Sequence, residues 1–194
     1  MRTSITDRRK AKIEQVLRWR QKDLTLVLSN IHDPHNVSAI YRSCDAFGVA
    51  EVHLYYTDTP FPVLGSKTSG SARKWVATKR HTSLEALRGA LPGHQLLVTS
   101  CSPDARPMSA YDFTRPTAIV MGNEHKGPPE DLAEMADGEI YIPMYGMIQS
   151  FNVSVAAAIL LAEASRQRKD AGMYDQPTYM PEEYEALIEN WLQK

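Results

Sequence analysis

The sequence predicts an α/β fold, with strands and helices alternating around a mostly parallel sheet, and three observations predict it. Short apolar runs recur along the chain with helical segments between them, the order expected of βα units rather than of a sandwich. The runs at 24–31 and 117–121 are near-continuous instead of alternating, as strands covered on both faces require. The chain has 194 residues, 43% hydrophobic and 23% charged, which suits one domain with a sizeable core.

Residues 1–22 read as an amphipathic helix, with Ile13, Val16 and Leu17 on one face. After the first strand, His32-Asp33-Pro34-His35 reads as a turn, and Asn36 as the N-cap of a helix that Gly48 ends. A strand at 51–56 leads into a loop at 57–74 rich in Pro, Thr, Ser and Gly. A helix at 83–89, strands at 95–100 and 117–121, a helix at 128–136 and a strand at 140–143 follow. A long helix begins near Asn152 and runs to about Arg168. Tyr184, Leu187, Ile188, Trp191 and Leu192 form the apolar stripe of a last helix, which must dock on the domain or on a second subunit.

Composition narrows the function classes. The N-terminal residues carry no apolar stretch of the signal-peptide kind, and the run at 155–162 is too short for a bilayer. A cytoplasmic protein without membrane contact is expected. Cys44 and Cys101 stand alone, with no CxxC or clustered histidines, and are expected to be small buried hydrophobes. The net charge is only −1, but residues 1–22 hold eight Lys or Arg against Asp7 and Glu14. The other 172 residues therefore sum to −7, leaving a basic arm on an acidic body. That pattern fits polyanion binding, and equally a solvated surface helix.

Three polar clusters fall where a strand ends and a helix begins, the edge at which open α/β sheets bind ligands. The first runs from Asn36 to Arg42, where the arginine could clamp a phosphate or simply face solvent. The second, residues 122–127, has two glycines around polar residues. It allows close approach of a ligand to the backbone, or is a plain strand-to-helix turn. The third, residues 142–154, sets Gln149, Ser150, Asn152 and Ser154 beside methionines and Gly146, with Ser150 or Asn152 as helix cap. No Gly-x-Ser-x-Gly, HExxH or GxGxxG motif is present.

In this order the three clusters resemble the three motifs of the SPOUT methyltransferases, closely those of the TrmH family of tRNA guanosine-2′-O-methyltransferases. The flanks at 18–25 and 166–174 match as well, so the resemblance spans nearly the whole chain. It implies a SPOUT fold with a deep trefoil knot in its C-terminal part, and a homodimer. It also implies a basic N-terminal helical extension (1–22), a catalytic domain (23–170) and a C-terminal helical extension (171–194). S-adenosylmethionine would be held around Thr99, Ser100, Gly122, Ile142, Met144 and Phe151, the last standing where leucine is usual. Arg42 would be the central catalytic residue, with Asn36, Glu124, Ser150 and Asn152 orienting it, the ribose and the cofactor. Because an arginine side chain is in general already protonated at neutral pH and cannot accept another proton, a substrate phosphate is the implied proton acceptor. No metal is implied, since the leaving group is a neutral thioether. The implied RNA-binding residues are Arg8, Arg9, Lys10, Arg18, Arg20, Arg166 and Arg168. The implied substrate is the guanosine at position 18 in the tRNA D-loop; ribosomal RNA, an anticodon-loop ribose, or RNA binding without catalysis are the alternatives.

Overall fold

A computed structural model describes residues 6–62, 72–124 and 126–194. Residues 63–71 of the long loop and His125 of the second cluster lie outside the described residues. Seven strands form one parallel sheet: β1 (Leu24–Ser29), β2 (Glu51–Tyr55), β3 (Ala77–His81), β4 (Gln95–Thr99), β5 (Arg106–Pro107), β6 (Thr117–Met121) and β7 (Gly138–Tyr141), in the order β3-β2-β1-β6-β4-β7-β5. Side chains alternate between its faces. Leu24, Leu26 and Leu28 pack under α2 (Pro34–Ala46) and α5 (Val153–Asp170). Val27 and Val120 face α3 (Leu84–Gly89) and α4 (Glu130–Glu134) on the other side. Helices on both faces explain why the central runs are apolar throughout.

The sequence reading missed β3 and β5. Ala77-Thr78-Lys79-Arg80-His81 has no apolar run because β3 is an edge strand, exposed over its first four residues. β5 is two residues long and leaves no periodicity to read. β7 runs two residues earlier than expected at both ends. The N-cap of α2 is also corrected. Asp33, not Asn36, caps it, accepting from the His35 N–H at 2.8 Å, and Pro34 takes the first turn, where its missing N–H costs nothing. Gly48 does end the helix at φ 76°, and a Cβ there would sit 2.8 Å from the Trp19 carbonyl oxygen. Cys44 is buried as expected; Cys101 is exposed, because it follows the carboxyl end of β4 where the chain leaves the sheet.

The terminal helices find each other. Ile13 and Leu17 of α1 (Asp7–Arg18) pack with Trp191 of α6 (Pro181–Leu192), flanked by Val16, Tyr184, Leu187, Ile188 and Leu192. Tyr184 donates to the Glu14 carbonyl at 2.7 Å. The apolar stripe of α6 therefore docks within its own chain. Among the described residues no helix is long and apolar enough to cross a membrane.

Two buried arginines lock the base of the sheet. Arg168 of α5 donates to Asp23, to Gln21 Oε1 at 3.0 Å and to the carbonyls of Phe113 (2.9 Å) and Arg115 (3.1 Å). Arg20 donates to Asp45 and to the Val49 carbonyl at 2.7 Å, under the Trp191 ring. Both were expected to contact RNA. Their side chains are buried and their terminal nitrogens turned to the protein's own acceptors, so they serve the fold. Arg168→Ala leaves Asp23 Oδ1, Gln21 Oε1 and the Phe113 carbonyl without their donor, and is expected to cost about 3–5 kcal/mol in denaturant unfolding.

At the sheet edge, buried His53 and His81 stack with Nδ1 and Nε2 2.9 Å apart, and His53 Nε2 lies 3.1 Å from Glu51. Burial, then the neighbouring His53 and Lys79, lower the His81 pKa from its ordinary 6.5. The unfolded chain thus takes the proton more readily than the folded one. The stability is complete above pH 6.5 and declines as pH falls below it. Melting temperatures measured between pH 7.5 and 5.5 are expected to fall, with a shallower slope for His81→Gln.

Candidate active site

β1 and β6 lie side by side, yet β1 leads to α2 on one face and β6 to α4 on the other. Such a reversal opens a crevice at the carboxyl ends of the two strands. Asn36, in the first turns of α2, flanks it from one side, and the 122–127 turn after β6 from the other.

The three clusters meet there in one chain of hydrogen bonds. Asn36 Nδ2 donates to Glu124 Oε1 at 2.8 Å, and the His32 N–H donates to the second oxygen at 3.1 Å. Asn152 Nδ2 donates to Asn36 Oδ1 at 3.0 Å. Asn152 Oδ1 in turn accepts from the Ser154 N–H at 2.9 Å, capping α5. One residue thus caps a helix and closes the site. Partial burial would raise the Glu124 pKa, but the Asn36 amide and the N–H groups of Glu124, His32 and Asp33 outweigh it and hold the carboxyl below its ordinary 4.5.

Arg42 stands apart. Six residues beyond Asn36, it is turned roughly 120° around the helix. It is exposed and makes no hydrogen bond or ion pair among the described residues. Ser150 is also exposed, and its side chain is free of such contacts. Asn36, Glu124 and Asn152 are brought together within one chain; Arg42 and Ser150 are not.

The residues expected to hold the cofactor line three neighbouring strand ends, because β6, β4 and β7 are adjacent. Thr99 spends its hydroxyl on the Val120 carbonyl at 2.9 Å, and the Ser100 N–H bonds the Ile140 carbonyl at 3.0 Å. Gly122 is explained by the chain itself, since a Cβ would lie 2.4 Å from the Pro128 nitrogen. Between Met144 and Phe151, no backbone N–H is hydrogen-bonded among the described residues. Free backbone groups beside the partly exposed side chains of Ile142, Met144 and Phe151 suit a purine, which needs apolar cover and donors and acceptors at its edge. The residues therefore fit S-adenosylmethionine.

Of the residues expected to bind RNA, Arg8, Arg9 and Lys10 are exposed on α1, Lys10 with Glu14 3.9 Å away. Arg18 donates to the Asp175 carbonyl at 2.7 Å, and Arg166 pairs with Glu163 and Asp170, each at 2.8 Å. Asn30 escaped the sequence reading, and Asn123 entered it only as one member of the second cluster. Asn123 closes its turn through Gly127 and donates to the Asn30 carbonyl at 2.7 Å. A polar amide ending an apolar strand, as both do, is the signal that could have marked them.

A parallel α/β sheet with a polar crevice at its reversal point, and a free-backbone segment beside it, defines an enzyme that binds a nucleotide-like ligand at the carboxyl edge. Residues 23–162 match the SpoU rRNA Methylase family, and the chain belongs to it. It is 47% identical over 191 residues to a tRNA (guanosine(18)-2′-O)-methyltransferase of Thermus thermophilus, covering 97% of this chain and 98% of that protein. It resembles the crystal structure of the A. aeolicus TrmH/SpoU tRNA modifying enzyme, with a TM-score of 0.88, 36% identity and 96% of each chain covered. It also resembles the SpoU methyltransferase AviRb of Streptomyces viridochromogenes in complex with AdoMet (TM-score 0.66, 27% identity, 77% of this chain and 62% of that one).

Glu124→Gln replaces one oxygen of a carboxylate, whose two oxygens each accept a different donor here, by an NH2 group facing one of those donors. It is expected to slow methyl transfer by about 10- to 100-fold, the scale of a lost positioning contact. The partly exposed site should keep the melting temperature within a few degrees.

Proposed function

We propose that this protein transfers a methyl group from S-adenosylmethionine to the ribose 2′-hydroxyl of guanosine 18 in the D-loop of tRNA. The observation that carries the reading is the end-to-end likeness to the T. thermophilus enzyme whose name states that reaction.

The cofactor supplies an electrophilic methyl whose leaving group is a neutral thioether. Everything else falls to the chain. The backbone at Thr99, Ser100, Gly122, Ile142, Met144 and Phe151 holds the cofactor. Asn36, Glu124 and Asn152 set the position of the ribose, and Ser150 joins them when the ligands are bound. The Arg42 guanidinium clamps a phosphate of the RNA and stabilises negative charge developing on the 2′ oxygen, while that phosphate takes the proton.

Arg42 does this in a homodimer, where a second copy completes the site. Its exposed position favours that arrangement, as do the exposed apolar side chains of Tyr141, Tyr145, Met147, Ile148 and Val155, an unusual cluster to leave in water. Arg8, Arg9, Lys10 and Arg18 on α1 attract the RNA backbone, and Arg166 joins them only if RNA displaces its two carboxylate partners. In this reading residues 1–22 and 171–194 are extensions of a catalytic unit at 23–170, whose C-terminal part is knotted, and the protein works in the cytoplasm on free tRNA.

Incubating wild type and Arg42→Ala with methyl-labelled S-adenosylmethionine and an unmodified tRNA transcript tests this directly. Label is expected as 2′-O-methylguanosine in the D-loop, with the rate reduced about 100-fold or more in the variant. Label at another nucleotide, or on ribosomal RNA only, would move the substrate; unlabelled RNA throughout would overturn the enzyme reading.

A further inference from the structure

Asn30, the residue after β1, is the one non-glycine with positive φ (48°) among the described residues. Asparagine tolerates this conformation better than most side chains, because its short amide bonds locally. Here the amide is buried, and both its oxygen and its nitrogen are hydrogen-bonded. Its Oδ1 accepts from the N–H groups of Thr57 (3.0 Å) and Asp58 (3.1 Å), and its Nδ2 donates to Thr57 Oγ1 at 3.2 Å. The Asn30 N–H still reaches the Tyr55 carbonyl at 3.1 Å, extending the β1–β2 ladder by one bond. The left-handed turn then aims its carbonyl across the crevice at Asn123 Nδ2, 2.7 Å away.

One residue thus joins three segments: its buried side chain ties the end of β1 to the segment leaving β2, and its backbone carbonyl reaches the turn after β6. Its neighbours reinforce the join, since Tyr56 donates to the Ile31 carbonyl at 3.1 Å. Two residues on, the His32 N–H meets Glu124, whose other oxygen holds Asn36. Were the 30–33 span to relax, both donors would leave the carboxylate together.

We propose that Asn30 is a positioning residue for the transfer reaction. It fixes the span from β1 to α2 so that His32 and Asn36 grip both oxygens of Glu124, and it ties that grip to the start of the loop at 57–59. The inference deepens the methyltransferase reading and rests on it. Asn30 itself touches neither ribose nor cofactor; it acts through Glu124 and Asn36.

Three variants separate this role from general support of the fold. Asn30→Gly keeps the backbone at ease in the left-handed region and removes only the amide. Asn30→Asp also tolerates that region and keeps the acceptor for Thr57 and Asp58, while the Thr57 hydroxyl can turn from the exposed Asp58 carboxylate to donate to its second oxygen. Thr57→Val perturbs the same join from an exposed position, should the glycine variant fold poorly.

Rates are measured with saturating tRNA at a temperature where circular dichroism shows each variant folded. Asn30→Gly is expected to lose kcat by about 100-fold, Asn30→Asp to stay within about threefold of wild type, and Thr57→Val to lose roughly fivefold. Dissociation constants for S-adenosylmethionine and tRNA should stay within about twofold, because neither ligand contacts Asn30. A glycine variant with wild-type kcat, or an aspartate variant as impaired as glycine, overturns the proposal. So does a glycine variant whose loss lies wholly in ligand affinity.

A second readout needs no turnover. The amide hydrogen of His32 is expected to exchange slowly in wild type and Asn30→Asp, and at least about tenfold faster in Asn30→Gly. Wild-type enzyme that methylates no RNA would defeat the functional reading, whereas equal exchange in all three proteins would defeat the role of Asn30.

Discussion

The pairing of β1 with β6 is the constraint from which the rest of the site follows. Five residues of each strand lie in register, from Leu24 beside Thr117 to Leu28 beside Met121, and the Thr117 N–H bonds the Asp23 carbonyl just before them. The two strands come from distant parts of the sequence, so the ladder forms only after a long loop has closed. Its register is held by burial on both faces, because a slip of one residue would turn Leu26 and Leu28 to the wrong side. The same slip would displace the turn carrying Glu124 by about 3.3 Å from the helix carrying Asn36. Hydrogen bonds of 2.8 Å do not survive such a shift.

Charge in this protein divides into two kinds with different tasks. Arg20 and Arg168 are buried and each paired with an aspartate, Arg20 with one carbonyl besides and Arg168 with several, and they join the start of β1 to α2 and α5. Arg8 and Arg9 sit on an exposed helix face, where water screens them and a polyanion can displace their counterions. Arg166 is intermediate: it is exposed but already neutralised by Glu163 and Asp170. A surplus of positive residues near the N-terminus therefore overstates how much of that charge is available to RNA.

That division marks where sequence reasoning stops. The central strands were legible because their apolar runs report burial on two faces, and α1, α5 and α6 because their stripes or caps report one. The edge strand β3 was not, since an exposed strand needs no apolar residues. At the site, Asn36, Glu124 and Asn152 carried a recognisable motif order, and their convergence follows from the strand order, which no local pattern encodes. Asn30 was invisible for a related reason. Its neighbours in space come from segments 27 and 93 residues away, and its strained backbone leaves no mark on composition. Arg20 and Arg168 look in sequence like any other arginine of a basic stretch. Only the acceptors around them, drawn from 25 to 147 residues away, tell them apart from surface charges.

The packing of α1 on α6 has a consequence for how the protein is made. The basic helix is synthesised first, but its apolar side is covered by residues some 170 positions later. During translation Ile13, Val16 and Leu17 must wait uncovered while the whole sheet assembles, and the charged face beside them is then the best-solvated part of the nascent chain. The helix that carries Arg8 and Arg9 is thereby seated only after α6 has emerged from the ribosome.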